Sequence, residues 1–200
     1  MKASEHVTIS VFGRDRKGVV AEATSFVFRA GGNIEELVEQ VTRREFYMTL
    51  VASWAPGKLD RRTLDTGLSE LGTRLKMEVR VRHHSPSARP RMALFMTKET
   101  HCADALLAAA RSGALRAEPV LVAANHPELA AYARRWRVPF VHAPFRDHER
   151  GERALLRALD RSEADFAVLA RFMKILSPRF TWRWRNRLIN IHPSLLPAFP

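Results

Sequence analysis

The stretch Met92–Ala124, MALFMTKETHCADALLAAARSGALRAEPVLVAA, decides the fold. Met92 to Thr97 reads as a strand, His101 to Ser112 repeats its apolar residues at helical spacing, and Pro119 to Ala124 reads as a second strand. The same rhythm continues downstream: a helix from Pro127 to Trp136, a short strand Pro139–His142, a helix Glu149–Arg161, a strand Phe166–Ala170 and a last strand Leu188–Ile191. Strands alternating with helices of this length give right-handed crossovers and a doubly wound parallel sheet. Ligands of such sheets sit beyond the carboxyl ends of the strands, so the residues after Thr97, Ala124, Ala170 and Ile191 are where chemistry is expected.

Upstream the rhythm differs, and Arg82–Pro90 (RHHSPSARP), with two prolines and no apolar pattern, marks a linker. The expected division is residues 1–84, a linker at 85–90, and residues 91–200. In the first part Val7–Phe12 is a strand, Gly18–Ala30 a helix ended by Gly31-Gly32-Asn33, and Ile34–Thr42 and Phe46–Trp54 a hairpin turned at Arg43–Glu45. A helix Arg61–Leu75 and a strand Met77–Arg82 complete a ferredoxin-like βαββαβ order.

The 200 residues are 46% hydrophobic and 27% charged, which excludes a disordered polymer. The single cysteine, Cys102, excludes a disulfide scaffold and a thiol-rich metal site, and a reducing cytoplasm fits best. The N-terminus has no signal-peptide pattern, and no apolar run approaches the roughly 18 residues needed to cross a bilayer, so no membrane partner is expected. Lys and Arg number 33 against 21 Asp and Glu, a net charge of +12 that would attract polyanions. Its densest part, Arg179–Arg187 (RFTWRWRNR), has the composition of a single-stranded nucleic-acid platform. The favoured reading is a surface helix whose aromatic residues pack inward while its guanidinium groups stay solvated, without a nucleic-acid partner.

Asn190-Ile191-His192 closes the last strand, where residues two apart share a face, so amide and imidazole project side by side and Ile191 anchors the strand on the other face. An amide donor beside a titratable ring can hold a developing oxyanion, and the same pair can equally be a strand end with a hydrogen-bonded histidine. Leu169–Pro178 (LARFMKILSP) is either a helical core patch or an apolar wall for a flat ligand. His101 and Cys102 are neighbours that cannot face each other on a helix, and Asn125 reads as the cap of the next helix. Thr97–Thr100 has no glycine, which argues against a nucleotide phosphate at that helix start.

These motifs resemble the formyltetrahydrofolate deformylases over nearly the whole chain. GRDRKGVVAEATSF, GGNI and EFYMTL look like that family's N-terminal ACT domain; TKETHC, ANHPEL, VLARFMKILSP and INIHPSLLPAFP look like its formyltransferase-type domain. The resemblance implies hydrolysis of 10-formyltetrahydrofolate to tetrahydrofolate and formate, within one-carbon metabolism and purine synthesis. It implies Asn190 and His192 as catalytic residues, and Phe172, Met173, Lys174, Ile175, Leu176 and Leu188 as the lining of the folate pocket. It implies no metal and no cofactor beyond the folate substrate, an amino-acid effector near Asp15, Gly18 and Asn33, and a homo-oligomer. The family also has a catalytic aspartate in a later loop, and the chain ends at Pro200 before it, so the 200 residues alone are expected to be nearly inactive. Pro193 stands where typical deformylases have histidine and phosphoribosylglycinamide formyltransferases have proline. Formyl transfer to glycinamide ribonucleotide and a non-catalytic amino-acid-binding regulator are the alternatives.

Overall fold

The computed structural model describes residues 4–84 and 89–191, and the chain divides into two compact units, 1–88 and 89–200. The first contains β1 (Glu5–Arg14), α1 (Val19–Arg29), β2 (Asn33–Thr42), β3 (Glu45–Trp54), α2 (Arg61–Leu75) and β4 (Glu78–His83). Its sheet has the order β2-β3-β1-β4 and every pairing is antiparallel, the βαββαβ arrangement expected from the sequence. Alternation along β1 sends Val7, Ile9 and Val11 into one core with Val19, Ala23 and Val27 of α1 and Leu64, Leu68, Leu71 and Leu75 of α2.

Local chemistry sets the helix ends. Asp60 caps α2 by accepting the Thr63 N–H at 3.1 Å, and Gly18 starts α1 at φ 88°, a left-handed conformation that glycine adopts without strain. Beyond α1 the backbone passes close under an indole: Trp54 Nε1 donates to the Ala30 carbonyl at 2.8 Å, and a Cβ on Gly32 would lie 2.5 Å from the ring.

The second unit runs β5 (Arg91–Met96), α3 (His101–Ser112), β6 (Glu118–Ala124), α4 (Leu129–Trp136), β7 (Phe140–His142), α5 (His148–Arg161), β8 (Phe166–Ala170), α6 (Pro178–Arg183) and β9 (Leu188–Ile191). Its five strands are parallel in the order β7-β6-β5-β8-β9. The chain winds outward from β5 in one direction and then in the other, which puts the topological switch point between the carboxyl ends of β5 and β8. Both sheet faces are covered. Met92, Leu94, Met96, Val168 and Ala170 pack with residues of α3 and α4, while Ala93, Phe95, Ala167 and Leu169 pack with α5 and α6.

Two local expectations are corrected. Asn125 does not cap α4: that helix starts at Leu129 after Glu128, and Asn125 Oδ1 is buried without a hydrogen bond. The Arg179–Arg187 stretch is a short helix and a turn in which Trp184 packs inward as expected, but its guanidinium groups are not all solvated, the Arg183 side chain being 12% exposed. Trp184 is 2% exposed, the Arg187 guanidinium stacks 3.7 Å from its ring centroid, and Arg187 Nε donates to the Asp165 carbonyl at 2.7 Å. A platform for stacked bases needs open aromatic faces, and here Trp184 is spent in the core. Among the described residues no helix is long and apolar enough to cross a membrane.

Candidate active site

At the switch point, β8 ends in Ala170 and the next residue, Arg171, takes the left-handed conformation with φ 55°. The chain thereby turns away from the sheet and drops the Phe172 ring into the core, 5.6 Å from Phe95 and 5.3 Å from Phe145 between centroids. A tight turn follows, closed by the Lys174 N–H on the Phe172 carbonyl at 2.7 Å. Thr97, just beyond β5, reaches across the switch point and accepts the Met173 N–H on its Oγ1 at 3.0 Å. With the ring of Phe172 anchored inward, Met173 and Ile175 stand outward, 59% and 87% exposed. Exposed apolar side chains held by a fixed backbone mark a surface meant to be covered by a ligand or partner.

β9 supplies the opposite wall. Its register pairs Asn190 with Leu169 and Ile191 with Ala170. Ile191 packs with the α3–α4 core and Leu188 with the α5–α6 core, so the alternation read from the sequence holds and Asn190 shares the face of Leu188. The cavity between these walls is about 540 Å3, lined by Leu169, Arg171, Met173, Ile175, Leu188 and Asn190 among others. The Asn190 side chain is exposed and makes no hydrogen bond to another described residue. The charged groups of the lining are Arg171 and Lys174, and Arg171 Nε is buried without a hydrogen-bond partner. The arrangement offers an apolar slot for a flat body, two cations, and an amide free to donate to a carbonyl oxygen or its oxyanion.

Of the expected pocket residues, Met173, Lys174, Ile175, Leu176 and Leu188 do line this cavity with Asn190. Phe172 lines it too, but its ring is 5% exposed, so it acts chiefly as the anchor of the wall. His192 and Pro193 lie outside the described residues. The three residues expected to hold an effector do not come together within the first unit. Asp15 follows the Arg14–Glu45 pairing at one end of the sheet and Gly18 opens α1 there, whereas Asn33 pairs with Ser53 at the other. Eight residue steps along β3, from Glu45 to Ser53, separate the two ends, roughly 26 Å at the rise of a strand. Thr97 and Arg171 are site residues not named from the sequence, although Arg171 falls within Leu169–Pro178 and directly after Ala170, where chemistry was expected. Their signal was positional, each being the first residue past a central strand.

A carboxylate, Asp104, lies on the other face of the sheet, between α3 and α4. Burial pushes the Asp104 carboxyl up, but the Thr100 and Tyr132 hydroxyls, the Trp136 indole and the Arg135 charge together hold it below its ordinary value. Trp136 Nε1 donates to it at 3.1 Å; the Tyr132 hydroxyl faces it outside strict hydrogen-bond geometry, and burial followed by that carboxylate pushes the phenol up. The Asp104 carboxylate is engaged by groups of both helices, and the cluster reads as a brace between them.

The profile of the formyl transferase family matches residues 90–200, and that of the ACT domain matches residues 5–82. The formyltetrahydrofolate deformylase of Escherichia coli K12 is 35% identical over 190 residues, covering 92% of this chain and 65% of that protein. That of Synechocystis sp. PCC 6803 is 32% identical over 200 residues, covering 96% of this chain and 68% of that protein. The chain therefore spans about two thirds of the length of these relatives. Among solved structures, a formyltetrahydrofolate deformylase from Burkholderia mallei superposes with a TM-score of 0.53 at 27% identity, covering 98% of this chain and 70% of that one. A phosphoribosylglycinamide formyltransferase from Brucella melitensis superposes with a TM-score of 0.52 at 35% identity, covering 56% of this chain and 61% of that one.

Proposed function

Since the chain belongs to the formyltetrahydrofolate deformylase family, with an ACT domain ahead of a formyl transferase domain, we propose that it serves the hydrolysis of 10-formyltetrahydrofolate to tetrahydrofolate and formate. The observation that carries the reading is Asn190: a free amide at the carboxyl end of a parallel strand, facing a cavity whose other wall is apolar and fixed. The pterin lies along the wall from Phe172 to Leu176, where the turn leaves backbone groups beside the cavity. Water adds to the formyl carbon, and the carbonyl oxygen, now an oxyanion, takes a hydrogen bond from the Asn190 amide. The bond from that carbon to N10 breaks as one proton of the attacking water passes to N10, and formate leaves with the other proton released to solvent. His192, two residues further on, is the residue the family resemblance assigns beside Asn190 to hold the same oxyanion. Met173 and Ile175, covered by the bound ligand, keep bulk water from the reacting carbon.

The ACT domain, in this reading, takes a small amino-acid effector. Because Asn33 lies at the far end of the sheet from Asp15 and Gly18, one copy of the unit does not assemble that site from those three residues, which favours assembly of the chain into a homo-oligomer.

Formate release from 10-formyltetrahydrofolate, measured for the wild type beside Asn190→Ala and His192→Ala, tests the reaction. Loss of one oxyanion donor should lower turnover about 10²-fold or more. Wild-type turnover that both substitutions leave unchanged overturns the reading, and so does a wild type that neither turns over 10-formyltetrahydrofolate nor binds tetrahydrofolate.

A further inference from the structure

Glu152 is the one buried charged residue among the described residues, 8% exposed, and no step above uses it. It sits on α5 and points at the end of the pocket wall. Its Oε1 accepts the Ser177 N–H at 2.5 Å, and its Oε2 accepts the Ser177 hydroxyl at 2.6 Å. The same hydroxyl oxygen accepts the Phe180 N–H at 3.2 Å as the cap of α6, so one carboxylate fixes both the end of the wall and the start of the next helix. One turn earlier on α5, His148 Nε2 lies 2.6 Å from the Ile175 carbonyl. A carbonyl can only accept, so Nε2 carries the proton, and Nδ1 faces Glu152 Oε1 at 3.8 Å. Just before the helix, Phe145 meets His148 and Phe172 edge to face, at 5.5 Å and 5.3 Å. The wall is thus held at Phe172 by Phe145, from α5 at Ile175 and Ser177, and at Met173 by Thr97 just beyond β5.

Burying a carboxylate is unfavourable unless charge-assisted hydrogen bonds satisfy it, and a segment that only closed a loop would not require one. We propose that Glu152, seconded by His148, is a positioning residue: it fixes the backbone of Ile175–Ser177 so that the wall is shaped for folate before folate arrives, without touching the ligand. This deepens the functional reading and rests on it for the identity of the ligand. Preorganisation of this kind acts on affinity, because the free loop need not be ordered on binding.

The test is the dissociation constant for tetrahydrofolate, with amide hydrogen exchange over residues 173–177, in the wild type, Glu152→Ala, Glu152→Gln and Ser177→Ala. Glu152→Ala should weaken binding at least tenfold and speed exchange in 173–177 at temperatures where both units remain folded. Glu152→Gln, which keeps an acceptor for the Ser177 N–H, should recover most of both. Ser177→Ala removes only the hydroxyl and should fall between, which keeps the test decisive if Glu152→Ala does not fold. A wild type that binds while all three variants bind equally well and exchange alike overturns the positioning role and leaves the functional reading standing. A wild type that binds no tetrahydrofolate overturns both.

Discussion

Replacing Gly151 by alanine sets two effects of known size against each other. Alanine in the interior of a helix is favoured over glycine by about 1 kcal/mol, so on propensity alone the substitution stabilises α5. The added Cβ, however, would stand 2.8 Å from Phe145 Cδ2, 2.9 Å from Cε2 and 3.0 Å from Cγ. With Cγ as close as the outer atoms, the ring cannot escape by spinning and must translate by roughly half an ångström. Overpacking of this kind costs about 1–3 kcal/mol. The displacement also loosens the edge-to-face pairs with Phe172 and His148, each worth about 0.5–1.5 kcal/mol when intact. The second unit should therefore lose about 1–2 kcal/mol, read as a lower denaturant midpoint at unchanged slope, and tetrahydrofolate binding should weaken as Phe172 shifts. A midpoint raised by the full propensity gain, with binding unchanged, would refute the reasoning, because it would show that Phe145 is not fixed against the wall.

Arg171→Gly relieves a left-handed residue, a gain of about 1–2 kcal/mol, against roughly 0.5–1 kcal/mol lost to the freer unfolded glycine. The melting temperature should hold or rise slightly while tetrahydrofolate binding weakens, since the pocket loses one of its two cations; calorimetry and a binding titration check both. Asp104 gives a pH prediction. Its folded carboxyl titrates below the ordinary 3.8, so the stability it contributes is present above that value and is lost as pH falls through the lower, folded one. Denaturation midpoints followed across the acid range should show this loss in the wild type and a shallower one in Asp104→Asn.

The elements were legible where a period carried them. The Leu64, Leu68, Leu71, Leu75 stripe of α2 and the Asn190–Ile191 alternation of β9 are each fixed by geometry that any strand or helix shares. What was not legible depends on contacts between distant segments. Asn125 looks like a cap because asparagine often is one, yet Pro127 and Glu128 carry the chain one turn further before it becomes helical. Arg171 in a left-handed turn leaves no local signal, since glycine is the residue that normally marks such a place. Glu152 did leave one: it lies in register with Gly151, Leu155 and Leu159 on the buried face of α5, where a carboxylate has no reason to be unless something distant meets it. The effector residues were grouped by motif, and only the sheet register shows that Asn33 and Asp15 belong to opposite ends.

The indole seated over Gly32 has an optical consequence. Of the four tryptophans, Trp54 alone belongs to residues 1–88, and it is 2% exposed with its N–H on a backbone carbonyl. The other three, Trp136, Trp182 and Trp184, belong to the second unit, and each has an arginine on its ring face. The difference in emission between the wild type and a Trp54→Phe protein is therefore a spectrum of the ACT domain by itself, blue while that indole is enclosed and red once it meets water. It lets the opening of the first unit be followed while the second unit stays dark in the difference.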